Sequence, residues 1–204
     1  MLLEIHPDNP QDRLIEKVVE VIAKGGIVVF PTDSIYALGC DAFNNRAIER
    51  VCRVLGKKPE KANLSLICKD LGNLSEFTTP IGTPTFKLMK RVLPGPYTFI
   101  LKANSNVPKI FKTNKKTVGI RVPDNAICQA IIEKLGHPMV SSSIHSEDEI
   151  QEYLTEPEEI YGVYEKITDV VIDGGAGGNQ PSTVIDCTGE VPEIIRQGKG
   201  IVEI

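Results

Sequence analysis

The sequence predicts an α/β domain built on a mixed parallel/antiparallel sheet, and three observations carry that reading. Short apolar runs bounded by glycine, proline or polar clusters recur along the chain, as at 27–30, 97–101 and 139–142, which is how buried strands look. Between many of them lie stretches with apolar residues at helical spacing. Near the C-terminal end several strand-like runs follow one another, so the sheet is not a regular doubly wound one. A chain of 204 residues with 41% hydrophobic content suits one domain spanning 1–204.

Residues 2–6 read as a short strand and Pro7-Asp8-Asn9-Pro10 as a turn. Over 11–24, Leu14, Ile15, Val18, Val19, Val21 and Ile22 fit one face of an amphipathic helix, which Gly25-Gly26 stops. The apolar strand 27–30 then ends abruptly in Pro31-Thr32-Asp33-Ser34, delivering hydroxyls and a carboxylate to a site at the strand's end. A helix over 45–55 ends at Gly56, and 64–68 is a strand. A helix over 85–92 stops before Pro94-Gly95-Pro96, and strands follow at 97–101 and 117–122. Residues 125–135 form a helix ending at Gly136, and 139–142 a strand. The acidic stretch 146–164 reads as a helical excursion interrupted by Pro157. Strands are expected at 170–172, 182–186, 194–196 and 201–202. Gly174-Gly175-Ala176-Gly177-Gly178 fits neither the phosphate-loop nor the dinucleotide spacing, since no Lys-Ser/Thr follows and no helix opens there; it reads as a flexible turn.

Net charge −4, 5% aromatic content and no Trp argue against a generic polyanion binder and against stacking platforms for single-stranded nucleic acid. Two basic clusters, Lys109-Lys112-Lys115-Lys116 and Arg50-Arg53-Lys57-Lys58-Lys61, are either local basic surfaces or solvated turns and helix faces. Cys40, Cys52, Cys68, Cys128 and Cys187 form no CxxC pair and no Cys/His metal spacing. They read as small buried hydrophobes in a reducing compartment. The N-terminus lacks a charged region followed by a long apolar core, and no apolar stretch approaches spanning length. A soluble, cytoplasmic protein with no membrane partner and no metal centre is expected.

Arg121 stands out within the otherwise apolar strand Val118-Gly119-Ile120-Arg121-Val122-Pro123. A charge there is costly unless it is paired or faces a ligand. Either it forms a structural ion pair with Asp33 or Asp41, or it clamps an anionic group in a site.

Seven segments taken together resemble the YrdC-like family in order and spacing over nearly the whole chain. They are Pro31 to Asp41, the Lys57-Lys58-Pro59 region, Pro94-Gly95-Pro96-Tyr97-Thr98, Thr117 to Pro123, Pro138 to Ser143, Pro181 to Asp186, and Ile195-Arg196-Gln197-Gly198. The wording Thr-Asp-Ser-Ile-Tyr-Ala-Leu-Gly-Cys at 32–40 and the opening His-Pro-Asp-Asn-Pro are most similar to the YciO branch. The resemblance implies a single twisted mixed sheet with flanking helices and a concave, basic cleft. It also implies synthesis of L-threonylcarbamoyl-adenylate from ATP, brought as its Mg²⁺ complex, L-threonine and bicarbonate. Pyrophosphate leaves, and the product serves the threonylcarbamoyl modification of tRNA adenosine. Double-stranded RNA binding is a further implied property. Because threonine, bicarbonate and triphosphate are all anionic, such a site needs fixed cations and hydrogen-bond donors.

By the same resemblance Arg121, Ser34 and Ser142 take the threonine, while Lys57, Lys58, Thr117, Ser143 and Arg196 take the ATP. Thr32, Tyr36 and His145 are supporting residues. Tyr36 is alternatively a core ring, Thr117 and Ser143 strand-end caps, and Arg196 a solvated strand residue. The chain departs from the family pattern in its phosphate grip. The Lys-x-Arg-Pro motif reads Gly56-Lys57-Lys58-Pro59, and Ser-x-Asn reads Ser143-Ile144-His145. The following Ser146-Glu147-Asp148-Glu149 would repel ATP if it faced the cleft, or else starts a surface helix. These departures leave open a paralogue without synthase activity that binds nucleotide or structured RNA.

Overall fold

The computed structural model of the chain describes residues 1–108, 116–144 and 153–204. The chain opens with strand β1 (Leu2–Glu4), helix α1 (Asp12–Ala23) and the antiparallel pair β2 (Val28–Phe30) and β3 (Ala37–Asp41). Helix α2 (Asn45–Val54), a 3-10 turn at Pro59–Lys61, β4 (Ser65–Ile67), α3 (Leu71–Ser75) and α4 (Thr83–Val92) follow. Then come β5 (Tyr97–Lys102), β6 (Thr117–Arg121), α5 (Ala126–Leu135) and β7 (Met139–Ser143). The last elements are α6 (Pro157–Tyr164), β8 (Val170–Asp173), β9 (Thr183–Asp186) and β10 (Glu193–Arg196).

These strands form one sheet in the order β1-β8-β2-β3-β7-β4-β6-β5-β9-β10. Parallel pairs such as β2 with β8, β4 with β6 and β5 with β9 alternate with antiparallel pairs such as β3 with β7 and β5 with β6. The mixed sheet read from the sequence is the sheet the chain builds.

The period-2 alternation of strand side chains splits the core in two. On one face Val29, Leu38, Leu66, Phe99, Ile120 and Val140 pack beneath α2, α4 and α6. On the other, Val28, Phe30, Ala37, Ile67 and Met139 pack beneath α1 and α5. Helix α5 is set by its ends: the Asn125 side chain caps the Cys128 N–H, and Gly136 stops the helix at φ 79°. Helices α1 and α5 reach across this second face only as far as β4. Beyond it, among the described residues, the same face of β6, β5 and β9 carries no helix, and the cleft described below lies there.

Several elements differ from the sequence reading. Strand β3 was not expected, because Ala37, Gly39 and Asp41 are types depleted in strands; pairing with β2 and β7 on either side makes it one. Helix α3 has five residues, too few to show a helical period. Pro157 starts α6 rather than interrupting a helix, since the first helical position needs no N–H. Residues 201–202 form no strand; instead the Tyr97 hydroxyl donates to the Ile201 carbonyl at 3.0 Å. Of the stretch 146–164, residues 146–152 lie outside the described residues.

Four of the cysteines are buried and Cys187 is half-buried. Burial pushes the thiols of Cys40, Cys52, Cys68 and Cys128 up, and that of Cys187 up to about 11. None is poised as a thiolate nucleophile. Alkylation of the native protein near pH ~8 should therefore run slower than in denaturant at every cysteine, on the order of 10²-fold slower at Cys187. Peptide-resolved mass spectrometry would show this, and one fast native thiol would contradict it.

Candidate functional site

The uncovered half of the sheet forms a cleft of about 440 Å³. Register decides which side chains face it. Ser65 of β4 is the partner of both Ser141 of β7 and Gly119 of β6. Residues two positions away on those strands, Ser143, Thr117 and Arg121, therefore share that face. From the next strands Thr98, Ile100 and Val184 complete the floor, and Ile195 and Arg196 close the far side.

Arg121 ends β6 with its side chain only 6% exposed. Its Nη2 donates to Asp33 Oδ1 at 2.8 Å, to Ser34 Oγ at 2.9 Å and, at longer range, to Thr32 Oγ1 at 3.4 Å. Asp33 is as buried as Arg121, and its second oxygen accepts the Asp124 N–H at 2.9 Å. The loop that presents Asp33 and Ser34 is folded by Thr32. That hydroxyl donates to the Ile35 carbonyl at 2.7 Å and accepts the Ser34 N–H at 3.1 Å. The two alternatives for Arg121 thus coexist: it is ion-paired with Asp33, and it lines the cleft. Asp41 is not its partner and lies 3.6 Å from His137 instead.

All three of these Arg121 contacts fall on one nitrogen of the guanidinium, Nη2. The Nε is buried and has no acceptor among the described residues. An unpaired buried donor costs about 1–3 kcal/mol, and more when charged.

Tyr36 does not face the cleft. Its ring is fully buried, its hydroxyl donates to the Gly175 carbonyl at 2.8 Å and accepts the Gly174 N–H at 3.2 Å. Burial pushes that phenol up to about 12. Tyr36 thereby ties the glycine-rich loop to the Pro31–Tyr36 segment. A Cβ at Gly178 would lie 2.0 Å from the Ser34 carbonyl oxygen. The loop read as a flexible turn is a backing plate for Ser34, and its glycines permit the close approach.

On the opposite rim the phosphate-grip departures take physical form. Gly56 sits at φ 62° just past α2. Its N–H bonds the Arg53 carbonyl at 3.1 Å, and the Lys57 N–H bonds the Cys52 carbonyl at 3.0 Å. This is a Schellman stop, which favours glycine. Lys57, just beyond it, borders the cleft, as does Glu60; Lys58 is exposed and does not. Gly56→Lys should cost about 1–2 kcal/mol of stability because a side chain must adopt the left-handed region. Urea denaturation would measure it, and an unchanged midpoint would refute the helix-stop role.

At the far side, Arg196 Nη2 and Nε donate to the Ser182 carbonyl at 2.8 and 3.3 Å. The Ser182 hydroxyl in turn lies 2.8 Å from Thr98 Oγ1. Lys57, Thr117, Arg121, Ser142, Ser143 and Arg196 therefore share one cleft, with Ser34 and Thr32 behind Arg121. Lys58 and Tyr36 stand apart from it, and His145 lies outside the described residues, as do residues 146–149. Sequence reasoning missed Ser65, Thr98, Ser141 and Ser182. Ser141 was findable, since it lies two residues from Ser143 on one strand. Ser65 and Ser182 became visible only through register and tertiary packing.

This geometry can be set beside known proteins. Residues 20–198 match the family model of the Sua5, YciO and YrdC proteins, described as telomere recombination. The chain belongs to the Sua5/YciO/YrdC family. Within it, the chain is 46% identical over 201 residues to YciO of Escherichia coli (strain K12), covering 98% of this chain and 96% of YciO. It is also 43% identical over 197 residues to a Haemophilus influenzae protein, covering 96% of this chain and 94% of that one. The crystal structure of E. coli YciO superposes with a TM-score of 0.92 at 45% identity, covering 100% of this chain and 98% of YciO. P. abyssi Sua5, crystallised with L-threonine, superposes with a TM-score of 0.87 at 26% identity. There the match covers 97% of this chain but 57% of Sua5. The single α/β domain is thus common to YciO and to a longer, threonine-binding relative.

Proposed function

We propose that the cleft binds L-threonine and ATP and makes L-threonylcarbamoyl-adenylate. The observation that carries this is the Arg121 guanidinium. Its Nη2 is saturated by Asp33, Ser34 and Thr32, while its buried Nε has no acceptor among the described residues. An α-carboxylate seated against Arg121 supplies the missing acceptor by a charge-assisted hydrogen bond. Sua5 crystallised with L-threonine supports the amino acid as the source of that carboxylate.

The chemistry then follows in two balanced steps. The threonine amine takes up bicarbonate with loss of water, giving a carbamate. A carbamate oxygen attacks the α-phosphorus of ATP, and pyrophosphate leaves with the electron pair of the broken P–O bond. Lys57 and Arg196, on opposite rims, are the cations available to the phosphates, with Thr117 and Ser143 as hydroxyl partners. Mg²⁺ enters in this reading as part of the ATP substrate. The adenylate serves tRNA modification in this reading.

The test is pyrophosphate release by the purified protein given ATP, Mg²⁺, L-threonine and bicarbonate, with the product identified by mass spectrometry. Threonine-dependent release with that product is the expected result. A second reading is favoured by the Gly56 helix stop and the outward Lys58, which leave Lys57 as that loop's lysine on the cleft. In it the cleft binds nucleotide, tRNA or double-stranded RNA without synthase chemistry. Nucleotide binding with no release would decide for it.

A further inference from the structure

Lys199 lies on the C-terminal tail, just past β10, and its ammonium donates to the backbone carbonyl of Asp33. Lys199 and Asp33 both border a second cavity, which shares no lining residue with the cleft. The contact joins residues 166 positions apart, so the tail reaches back to the loop that meets Arg121.

The peptide it meets is the one that matters for the site. The Asp33 carbonyl and the Ser34 N–H belong to a single planar group. Lys199 holds that group at its oxygen, and Thr32 Oγ1 accepts its N–H at 3.1 Å. The side chains on either side of the same peptide are the ones that meet Arg121 Nη2, Asp33 Oδ1 at 2.8 Å and Ser34 Oγ at 2.9 Å. A rotation of this one plane therefore carries both side chains off the guanidinium together.

An exposed lysine ordinarily keeps its rotamer freedom in solvent. Here the backbone beneath it is fixed. The Lys199 N–H donates to the Pro181 carbonyl at 2.8 Å and the Gly198 N–H to Thr183 Oγ1 at 3.0 Å. That hydroxyl in turn donates to the Gly200 carbonyl at 2.6 Å. A Cβ at Gly200 would stand 2.4 Å from the Tyr97 ring, so the tail is pressed against β5. The root of the Lys199 side chain is thus set, and the charged donor at its tip makes the stronger class of hydrogen bond.

We propose that Lys199 is a positioning residue for the carboxylate site, clamping the Asp33–Ser34 peptide so that both side chains stay on Arg121. It touches neither the cleft nor a ligand in it. Without the clamp the competent orientation of the peptide is only fractionally populated, and apparent affinity for the carboxylate falls by that fraction. The inference rests on the threonine reading of the cleft for its ligand, and on the hydrogen bonds alone for its geometry.

Lys199→Met keeps the length of the side chain and removes the donor; Lys199→Arg keeps a charged donor. Calorimetric titration should show L-threonine binding about 3- to 10-fold weaker in Lys199→Met, the range for one net hydrogen bond, with ATP affinity unchanged. Lys199→Arg should recover most of the loss. A second readout needs no ligand: the ¹⁵Nε–Hε signal of Arg121, assigned by its disappearance in Arg121→Lys, should shift or broaden in Lys199→Met and return in Lys199→Arg. An unchanged Arg121 signal in Lys199→Met would overturn the proposal. So would an equal loss of threonine and ATP affinity, which marks a general structural effect. If the unaltered protein binds no threonine, the function proposed above fails, and the Arg121 signal by itself decides the role of Lys199.

Discussion

Replacing Arg121 with lysine should weaken L-threonine binding about 10- to 100-fold, the range for losing a charged hydrogen bond. Lysine keeps a positive charge for Asp33 but has no fork and no Nε. Replacing it with alanine should cost more than affinity. Asp33 has its side chain 7% exposed, and its ion pair to Arg121 at 2.8 Å would be lost. Breaking a buried pair by removing one partner costs about 3–5 kcal/mol. Arg121→Ala should therefore lose threonine binding and also unfold at markedly lower urea. Asp33→Asn in that background should recover part of the stability and none of the binding. Calorimetric titration with L-threonine, run beside urea denaturation on the same samples, separates the two effects. Unchanged threonine affinity in Arg121→Lys would remove the guanidinium from the site.

Gly178→Ala should be nearly as damaging, though Gly178 does not line the cleft. Its Cβ would stand 2.0 Å from the Ser34 carbonyl oxygen and 3.1 Å from the carbonyl carbon. Either the glycine-rich loop or the Ser34 backbone must move. Overpacking of this kind costs about 1–3 kcal/mol. If Ser34 moves, its hydroxyl leaves Arg121, which it meets at 2.9 Å. Threonine affinity should then fall along with stability. Gly162→Ala is the control: it lies in α6 with nothing within 4 Å of the added carbon. It should raise stability by about 0.5–1 kcal/mol and leave binding unchanged. Equal behaviour of the two variants would mean that the loop does not back Ser34.

Much of the fold was legible because the strong signals are local. The run 27–30, stopped by Pro31-Thr32-Asp33-Ser34, announced a strand that feeds a site. Arg121 was legible for an energetic reason, being a charge where an apolar strand cannot leave one unpaired. Other features were hidden because tertiary packing decides them. Strand β3 exists through its two neighbours, against the propensities of its own residues. Tyr36 was a supporting residue by resemblance and a core ring by the alternative reading, and its ring is buried in the core. The glycine-rich loop looked loose because sequence does not show what a glycine lies against. Gly56 carried two readings in the sequence, the end of a helix and a departure from the phosphate grip, and its φ of 62° with the closing hydrogen bonds gives the physical reason for the first.

The central claim is that Arg121 receives the carboxylate of an amino acid, and a crystal structure of the protein with L-threonine tests it most directly. The account predicts the threonine carboxylate within hydrogen-bond distance of Arg121 Nε, with the Asp33 pair kept and Ser34 beside it. Threonine bound away from Arg121, or bound in the cleft with Nε still lacking an acceptor, would contradict it.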